Sequence, residues 1–210
     1  MLTDELFLDI SRGSFNPGTL VPGDMYTDTS DMAGNLPILY ALTRGLNASH
    51  VLEIGVNDGT STLAFLKALS ETEGWLTSID VVDCPTAKAL AKRFGYDQCW
   101  TFINGDSHDA LVAALVRAEY DLVLVDGDHS HAGAMRDIEL YGPMIRPGGF
   151  LLLHDCMMEL DGEKPGCAVT ANWLFSNDEW QGIMLPFSCQ LGVFRRRAEN
   201  RLRLKEMHDE

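Results

Sequence analysis

Two short apolar segments of the chain end in residues whose side chains could do chemistry. Residues 122–125 (LVLV) lead directly into Asp126, and residues 150–153 (FLLL) lead into His154 and Asp155. If the two segments are neighbouring strands of one sheet, the two carboxylates could converge on a single divalent cation. Carboxylates at strand ends also accept hydrogen bonds from backbone N–H groups, so both roles are open at this point.

Histidines follow the first of these acids at short intervals. The segment after Asp126 reads GDHSH and carries Asp128, His129 and His131. An imidazole has an ordinary pKa of about 6.5, which suits proton removal at neutral pH. We expect Asp128 and His131 to cap the next helix or to support the site from behind.

A glycine-containing turn lies earlier in the chain. Residues 53–61 read EIGVNDGTS, in which Gly55 and Gly59 would let the backbone approach a ligand. The helix after the turn offers its N-terminal N–H groups. The three-residue gap between the glycines departs from the G-x-G-x-x-G pattern of dinucleotide-binding folds, which argues against an NAD-dependent oxidoreductase. A tight turn in a doubly wound protein that binds no ligand is the structural alternative.

Two further acids follow the next apolar segments. Asp80 comes roughly 20 residues after the turn, where a carboxylate can accept hydrogen bonds from both hydroxyls of a ribose. Asp106 could accept from an exocyclic amine, and the N–H of Ser107 could donate to a ring nitrogen. Together they fit adenosine, although either acid could instead cap a helix.

These residues need a sheet whose strands end at one edge. Short apolar segments alternate with segments of helical periodicity, which predicts an α/β fold with a doubly wound, mostly parallel sheet of seven strands and helices on both faces. A first helix is expected over 36–46, capped by Asn35. The predicted strands are 51–54, 75–79, 100–103, 121–125, 150–154 and an antiparallel pair within 182–187 and 190–197. The predicted helices between them are 61–69, 85–94, 107–118, 132–145 and about 169–175.

Length and composition predict one domain over residues 1–210. Its parts are a Gly- and Pro-rich segment, 1–35, that could act as a lid, a core over 36–197 and a charged tail over 198–210. The net charge of −15 argues against a nucleic-acid or anionic membrane partner. An acidic start, no apolar segment of membrane-spanning length and five cysteines without disulfide-framework spacing predict a cytoplasmic protein. Strand pairing through residues 192–197 could form a homo-oligomer.

Taken together, these motifs resemble those of the class I S-adenosylmethionine-dependent methyltransferases. The resemblance covers about residues 51–155. Within it, DGDHSH and RPGGFLLLHD resemble a group that contains metal-dependent macrolide-sugar O-methyltransferases and cephalosporin-hydroxylase-like proteins. The family's cofactor is S-adenosylmethionine. By resemblance, the residues expected to surround it are Glu53, Gly55, Asn57, Asp58, Gly59, Thr60, Ser61, Asp80, Asp106, Ser107 and Asp126.

The same resemblance implies a metal site and a general base. Asp126, His154 and Asp155 are the implied ligands of a divalent metal such as Mg²⁺ or Mn²⁺. The macrolide-sugar relatives have an acid where this chain has His154, and imidazole shifts preference toward Mn²⁺, Fe²⁺ or Zn²⁺ because it is a softer donor than carboxylate. His129 resembles the catalytic base of those enzymes.

The implied reaction is O-methylation of a hydroxylated small molecule, such as a sugar, a glycoside or a diol. The alternative from another class is an accessory or regulatory protein that binds S-adenosylmethionine without transferase activity. Fold-level resemblance does not separate the two, since one fold serves many functions. Measurements of metal dependence and of turnover separate the enzyme from the accessory protein.

Overall fold

The computed structural model describes residues 32–156, 166–186 and 189–198. Within these ranges, strands and helices alternate along the chain. The strands are β1 (His50–Ile54), β2 (Trp75–Asp80), β3 (Trp100–Asn104), β4 (Tyr120–Val125), β5 (Ile145–Leu153), β6 (Trp180–Leu185) and β7 (Leu191–Arg196). The helices are α1 (Leu36–Gly45), α2 (Thr60–Ser70), α3 (Pro85–Arg93), α4 (Ala110–Ala113), α5 (His131–Tyr141) and α6 (Gly166–Ser176). None of the described helices is long and apolar enough to cross a lipid bilayer.

All seven strands form one sheet in the order β3-β2-β1-β4-β5-β7-β6. The first five strands pair in parallel, and β7 pairs antiparallel with both β5 and β6. This architecture confirms the predicted doubly wound, seven-stranded sheet. The strand order reverses between β1 and β4, and such a reversal opens a crevice at the carboxyl ends of the strands, where α/β proteins bind their ligands.

The apolar sequence of β4 follows from burial on both faces of the sheet. Leu122 and Leu124 pack into the core beneath α1 and α2, whereas Val123 and Val125 pack into the core beneath α5 and α6. Since successive side chains of a strand point to opposite faces, a strand covered by helices on both sides must be apolar at every position. Asp121, near the start of β4, is only partly buried, and residues 122–125 form the fully buried apolar part of the strand. Asp126 is the first polar residue after this part, and it marks where the chain leaves the core.

Two predicted helical features differ from the structure. Over 107–118 only α4 is helical, because the Asp109 side chain accepts a hydrogen bond from the Leu111 N–H and starts a helix of four residues. Asn35 does not cap α1: its backbone is already helical, it closes a 3-10 turn over Ala33–Asn35, and its side chain makes no capping hydrogen bond.

The C-terminal half of the sheet also differs in detail from the prediction. Strand β5 begins at Ile145 and ends at Leu153, so His154 follows the strand and is not part of it. Strand β7 lies inside the sheet and β6 forms its edge, so the prediction that residues 192–197 form an edge strand is wrong. Residues 1–31 of the predicted lid and 199–210 of the predicted tail lie outside the described residues.

Candidate functional site

A cavity of about 600 Å³ opens at the carboxyl ends of the parallel strands. Its walls are the four segments that follow β1, β2, β3 and β4. These segments are 54–57, 79–82, 105–108 and 126–129.

Half of the fourteen residues predicted to bind a cofactor or metal or to act as the base line this cavity. They are Gly55, Asn57, Asp80, Asp106, Ser107, Asp126 and His129. Five others that were predicted around the cofactor lie outside its wall, in or beneath the turn between β1 and α2: Glu53, Asp58, Gly59, Thr60 and Ser61. His154 and Asp155 are buried behind Asp126 and His129.

The turn between β1 and α2 can form only with glycine at two positions. Gly55 has a φ of 90°, and a Cβ atom there would lie 2.1 Å from the carbonyl oxygen of Asp126. Gly59 has a φ of 89°, and its Cβ would lie 2.6 Å from the Cβ of Ala87 in α3. The turn thus packs its backbone directly against the loop after β4 and against α3.

Asp80 ties two walls of the cavity together. Its Oδ2 accepts hydrogen bonds from the N–H of Val56 at 2.7 Å and of Asn57 at 3.1 Å, and its Oδ1 accepts from the N–H of Val82 at 2.9 Å. Burial alone would raise the pKa of Asp80, but these hydrogen bonds lower it below its ordinary value. The carboxylate is therefore ionised at neutral pH, and it retains acceptor capacity for a ligand hydroxyl.

Glu53 stabilises the same turn from below. Its side chain is fully buried and accepts hydrogen bonds from the hydroxyls of Ser61, Thr62 and Ser78 at 2.6 to 2.8 Å. Trp100 donates its indole N–H to Ser78, which extends the network from β1 to β3. The structure thus gives Glu53 contacts with protein hydroxyls beneath the cavity.

Glu53→Gln is expected to change how stability depends on pH. Burial raises the pKa of Glu53 to about 7 from an ordinary value of 4.5. Between these values the native state binds a proton that the unfolded state releases, so this group's contribution to stability falls as pH rises from 4.5 to 7, by about 3 kcal/mol in all. Glutamine carries no charge, and the variant should lose this dependence.

Urea unfolding at several pH values between 4.5 and 8 measures the effect. The exposed Glu179→Gln is the matched control, and it should keep the wild-type slope. A Glu53→Gln variant whose stability follows the same pH profile as the wild type would contradict the assignment of this bound proton to Glu53.

The tips of β4 and β5 bring two acids and two histidines together. Hydrogen bonds from the Asp126 N–H to Ile54 and from the His154 N–H to Val125 continue the strand pairing beyond both strands. His154 Nδ1 lies 3.0 Å from Asp126 Oδ1 and 3.5 Å from Asp155 Oδ1. The sequence-based expectation that these side chains converge is thus met by the geometry.

His129 bridges the two carboxylates from the cavity side. Its Nε2 lies 3.5 Å from Asp126 Oδ1, and its Nδ1 lies 2.9 Å from Asp155 Oδ2. Hydrogen bonding to Asp126 and then to Asp155 raises the pKa of His129 to about 10. Burial alone would raise the pKa of Asp155, but its hydrogen bond with His129 and the charges of His154 and His129 lower it. The pair is therefore an imidazolium and a carboxylate at neutral pH.

The donor atoms of this cluster fit a divalent cation. Asp126, His154 and Asp155 each offer one ligand atom within 4.8 Å of the others. Asp155 Oδ1 is buried and accepts no hydrogen bond from any described residue, although burying a carboxylate oxygen without a partner is costly. Two carboxylates with one imidazole suit Mn²⁺ or a softer divalent ion better than Mg²⁺.

Sequence reasoning missed one residue near the cavity. Asp137 in α5 is fully buried and accepts a hydrogen bond from the Ser107 hydroxyl at 2.7 Å. A signal for it exists in the sequence, because Asp137 falls at helical spacing among Ala134, Ile138 and Tyr141, on the face that packs into the core. An acid on a buried helix face needs a polar partner.

Comparison with known proteins supports the same interpretation of the fold. A family model described as a methyltransferase domain matches residues 52–156, which is half of the chain. Among solved structures, an O-methyltransferase from Bacillus cereus in complex with SAH is 15% identical with a TM-score of 0.64, over 94% of this chain and 93% of that chain. SAH-bound methyltransferase PaMTH1 from Podospora anserina is 16% identical with a TM-score of 0.64, over 94% and 89%. Cofactor-bound Rv0187 from MTB is 18% identical with a TM-score of 0.69, over 93% and 96%.

No curated protein sequence matches the chain significantly. The strand order and the cleft at the switch between β1 and β4 define the class I S-adenosylmethionine-dependent methyltransferase fold. The chain belongs to the family of methyltransferase domains that its residues 52–156 match.

Proposed function

We propose that the protein is an S-adenosylmethionine-dependent O-methyltransferase that acts on a hydroxylated small molecule with the help of a divalent metal. One observation carries the proposal. The loops suited to adenosine and the cluster of His129 with Asp126 open onto the same cavity, so a cofactor and the group that accepts its methyl could meet there.

The cofactor would lie across the four loops. Asp80, which is ionised, would accept hydrogen bonds from the ribose hydroxyls, and Asp106 with Ser107 would contact adenine. Asp126 and Asp128 also face the cavity, and negative charge attracts the positively charged sulfonium of the cofactor. Glu53 and residues 58–61 would act by holding the turn in place. This division of roles is supported by which side chains line the cavity.

His129 is the proposed base. The acceptor oxygen forms a bond to the methyl carbon as the bond from carbon to sulfur breaks, and the electron pair of that bond goes to the sulfur of S-adenosylhomocysteine. In its neutral form, His129 would take the hydroxyl proton, and Asp126 and Asp155 would stabilise the imidazolium that results. Because the two carboxylates raise the pKa of His129 to about 10, the charge of a bound cation would be needed to lower that pKa and favour the neutral form. Most of the acceleration would come from holding the reactants in line.

The metal ligands would be Asp126, His154 and Asp155. A divalent cation bound by them would lower the pKa of a coordinated hydroxyl and would offset the negative charge that faces His129. A sugar, a glycoside or a diol supplies adjacent hydroxyls suited to such a site. The acceptor class is supported by the charged side chains of Asp126, Asp128 and His129 in the cavity wall.

Calorimetric titration tests the proposal. S-adenosylhomocysteine is titrated into chelator-treated protein, and Mn²⁺ and Mg²⁺ are titrated separately. We expect binding heat for S-adenosylhomocysteine and for each metal. Mn²⁺ should bind more tightly than Mg²⁺ because His154 would be a ligand. Methyl transfer to simple diols is then measured with each metal.

The outcomes separate the parts of the proposal. Absence of cofactor binding would overturn it entirely. Cofactor binding without metal heat would remove the metal, and binding of both without transfer to any diol would favour the accessory protein that binds S-adenosylmethionine without turnover.

A further inference from the structure

We propose that Asp137 is a positioning residue that sets the selectivity of the cavity for an adenine base. It would act by fixing the loop after β3, which carries Asp106, Ser107 and His108. This inference rests on the proposed function, since it assumes that this loop contacts the base of the cofactor.

Asp137 contacts two consecutive residues of the loop through one oxygen. Its Oδ1 accepts a hydrogen bond from the Ser107 hydroxyl at 2.7 Å and lies 3.2 Å from His108 Nε2. The Asp137 side chain is fully buried, while Ser107 and His108 line the cavity. One buried atom thus holds Ser107 by a hydrogen bond and lies in close contact with the His108 ring, whose Nε2 makes no hydrogen bond among the described residues.

Helix α5 holds this loop at further points. Tyr141, one turn after Asp137, donates its hydroxyl to the carbonyl oxygen of Ser107 at 2.5 Å. Arg136 donates to the carbonyl oxygen of His108 at 3.4 Å. Ser107 is therefore held through both its side chain and its backbone, and the loop cannot shift without breaking contacts with α5.

The contact extends to Asp106 through His108. Asp106 Oδ1 accepts a hydrogen bond from the His108 N–H at 2.8 Å, and His108 Nδ1 lies 3.8 Å from the same oxygen. The His108 ring thus lies between the carboxylates of Asp106 and Asp137. Its position, and with it that of the Asp106 carboxylate, depends on Asp137.

The other oxygen of Asp137 gives the fold no such benefit. Oδ2 is buried and has no hydrogen-bond partner among the described residues, and a Cβ atom on Gly127 would lie 3.8 Å from it. Such burial raises the pKa of Asp137 and costs free energy of folding. The useful contacts of this acid are those with Ser107 and His108.

The position of the Asp106 carboxylate matters because a carboxylate distinguishes bases by whether they offer it a hydrogen-bond donor or an acceptor. The 6-amino group of adenine donates a hydrogen bond to Asp106, whereas the 6-oxygen of hypoxanthine is an acceptor and is repelled. Discrimination of this kind is lost when the carboxylate can move away from the base. Loosening the loop should therefore reduce selectivity and weaken binding of the adenine ligand most.

The experiment compares two ligands by calorimetry on the full chain: S-adenosylhomocysteine and its inosine analogue, in which oxygen replaces the 6-amino group. For Asp137→Ala we expect the ratio of their dissociation constants to fall roughly tenfold from the wild-type ratio. Asp137→Asn keeps an oxygen that can accept from Ser107 and should restore most of the ratio. Exposed Glu139→Gln on the same helix should behave as wild type.

Ser107→Ala provides a second test from the other side of the hydrogen bond. It should lower the ratio in the same direction, and the double variant with Asp137→Ala should lose less than the sum of the two single effects. This arm keeps the proposal testable if Asp137→Ala does not fold.

Two results would overturn the proposal in distinguishable ways. If Asp137→Asn and Ser107→Ala leave the ratio unchanged, or if each weakens both ligands equally, Asp137 does not control base selectivity although the proposed function stands. If the wild type binds neither ligand, the proposed function fails and this inference fails with it.

Discussion

Asp155→Asn is expected to lower the rate of methyl transfer roughly a thousandfold while cofactor affinity changes only a few-fold. Asp155 provides a proposed metal ligand and also holds His129 through the 2.9 Å contact. Asparagine is the suitable replacement because Asp155 has a φ of 56°, a left-handed conformation that asparagine tolerates better than alanine. The loss should therefore reflect the carboxylate and not backbone strain.

The measurement is single-turnover transfer with a labelled cofactor, together with calorimetric titration of Mn²⁺ and S-adenosylhomocysteine. Asp97→Asn, an exposed acid in a 3-10 turn remote from the cavity wall, is the matched control and should retain full activity. Turnover of Asp155→Asn close to that of the wild type would contradict the proposed role of the cluster.

His129→Gln is expected to lower kcat by roughly 10² to 10⁴, the range over which a general base contributes, with little change in cofactor affinity. The wild-type rate should also rise with pH as His129 loses its proton, and the variant should lack this rise. Since the pKa of His129 is raised to about 10, the imidazolium predominates at neutral pH without metal. Mn²⁺ should shift the rise to lower pH, because its charge offsets that of Asp126 and Asp155.

NMR titration of the His129 ring gives a readout independent of turnover. In the metal-free wild type, the contribution of His129 to stability is fully present below its ordinary pKa of 6.5 and is lost as pH rises through 10. An ordinary titration near 6.5 in metal-free protein would contradict the contacts with both carboxylates. A pH profile of transfer that is identical in His129→Gln would exclude it as the base.

The sheet was predictable from the sequence because apolar periodicity reports burial directly. The LVLV segment of β4 has no polar position because helices cover both faces. Such an apolar segment can be recognised from the sequence alone. The short α4 was not predictable from periodicity. Residues 107–118 carry helical spacing, but the contact of Asp106 with the His108 N–H forms a local turn that competes with helix there, and the Asp109 cap starts the helix only at Ala110.

Some residues of the candidate site were predictable from the sequence, but their contacts were not. Strand-end position identified Asp80, Asp126 and Asp155, since parallel strands end at one edge. The contact of His129 with Asp155 joins two loops 26 residues apart, and no local spacing encodes it. The role of Glu53 beneath the turn could not be predicted either, because its hydrogen-bond partners come from two different elements, α2 and β2.

Helix α5 begins two residues after His129, and its flank holds the loop after β3. At a rise of about 1.5 Å per residue, its first turn and Asp137 are separated by roughly 9 Å along a rigid axis. Helix α5 therefore fixes the distance between the proposed catalytic base, His129, and the loop after β3 that would contact adenine. A cofactor bound across both would have to match this distance as well as present the right base. An analogue with a longer link between nucleoside and sulfur would place its methyl group out of reach of the acceptor.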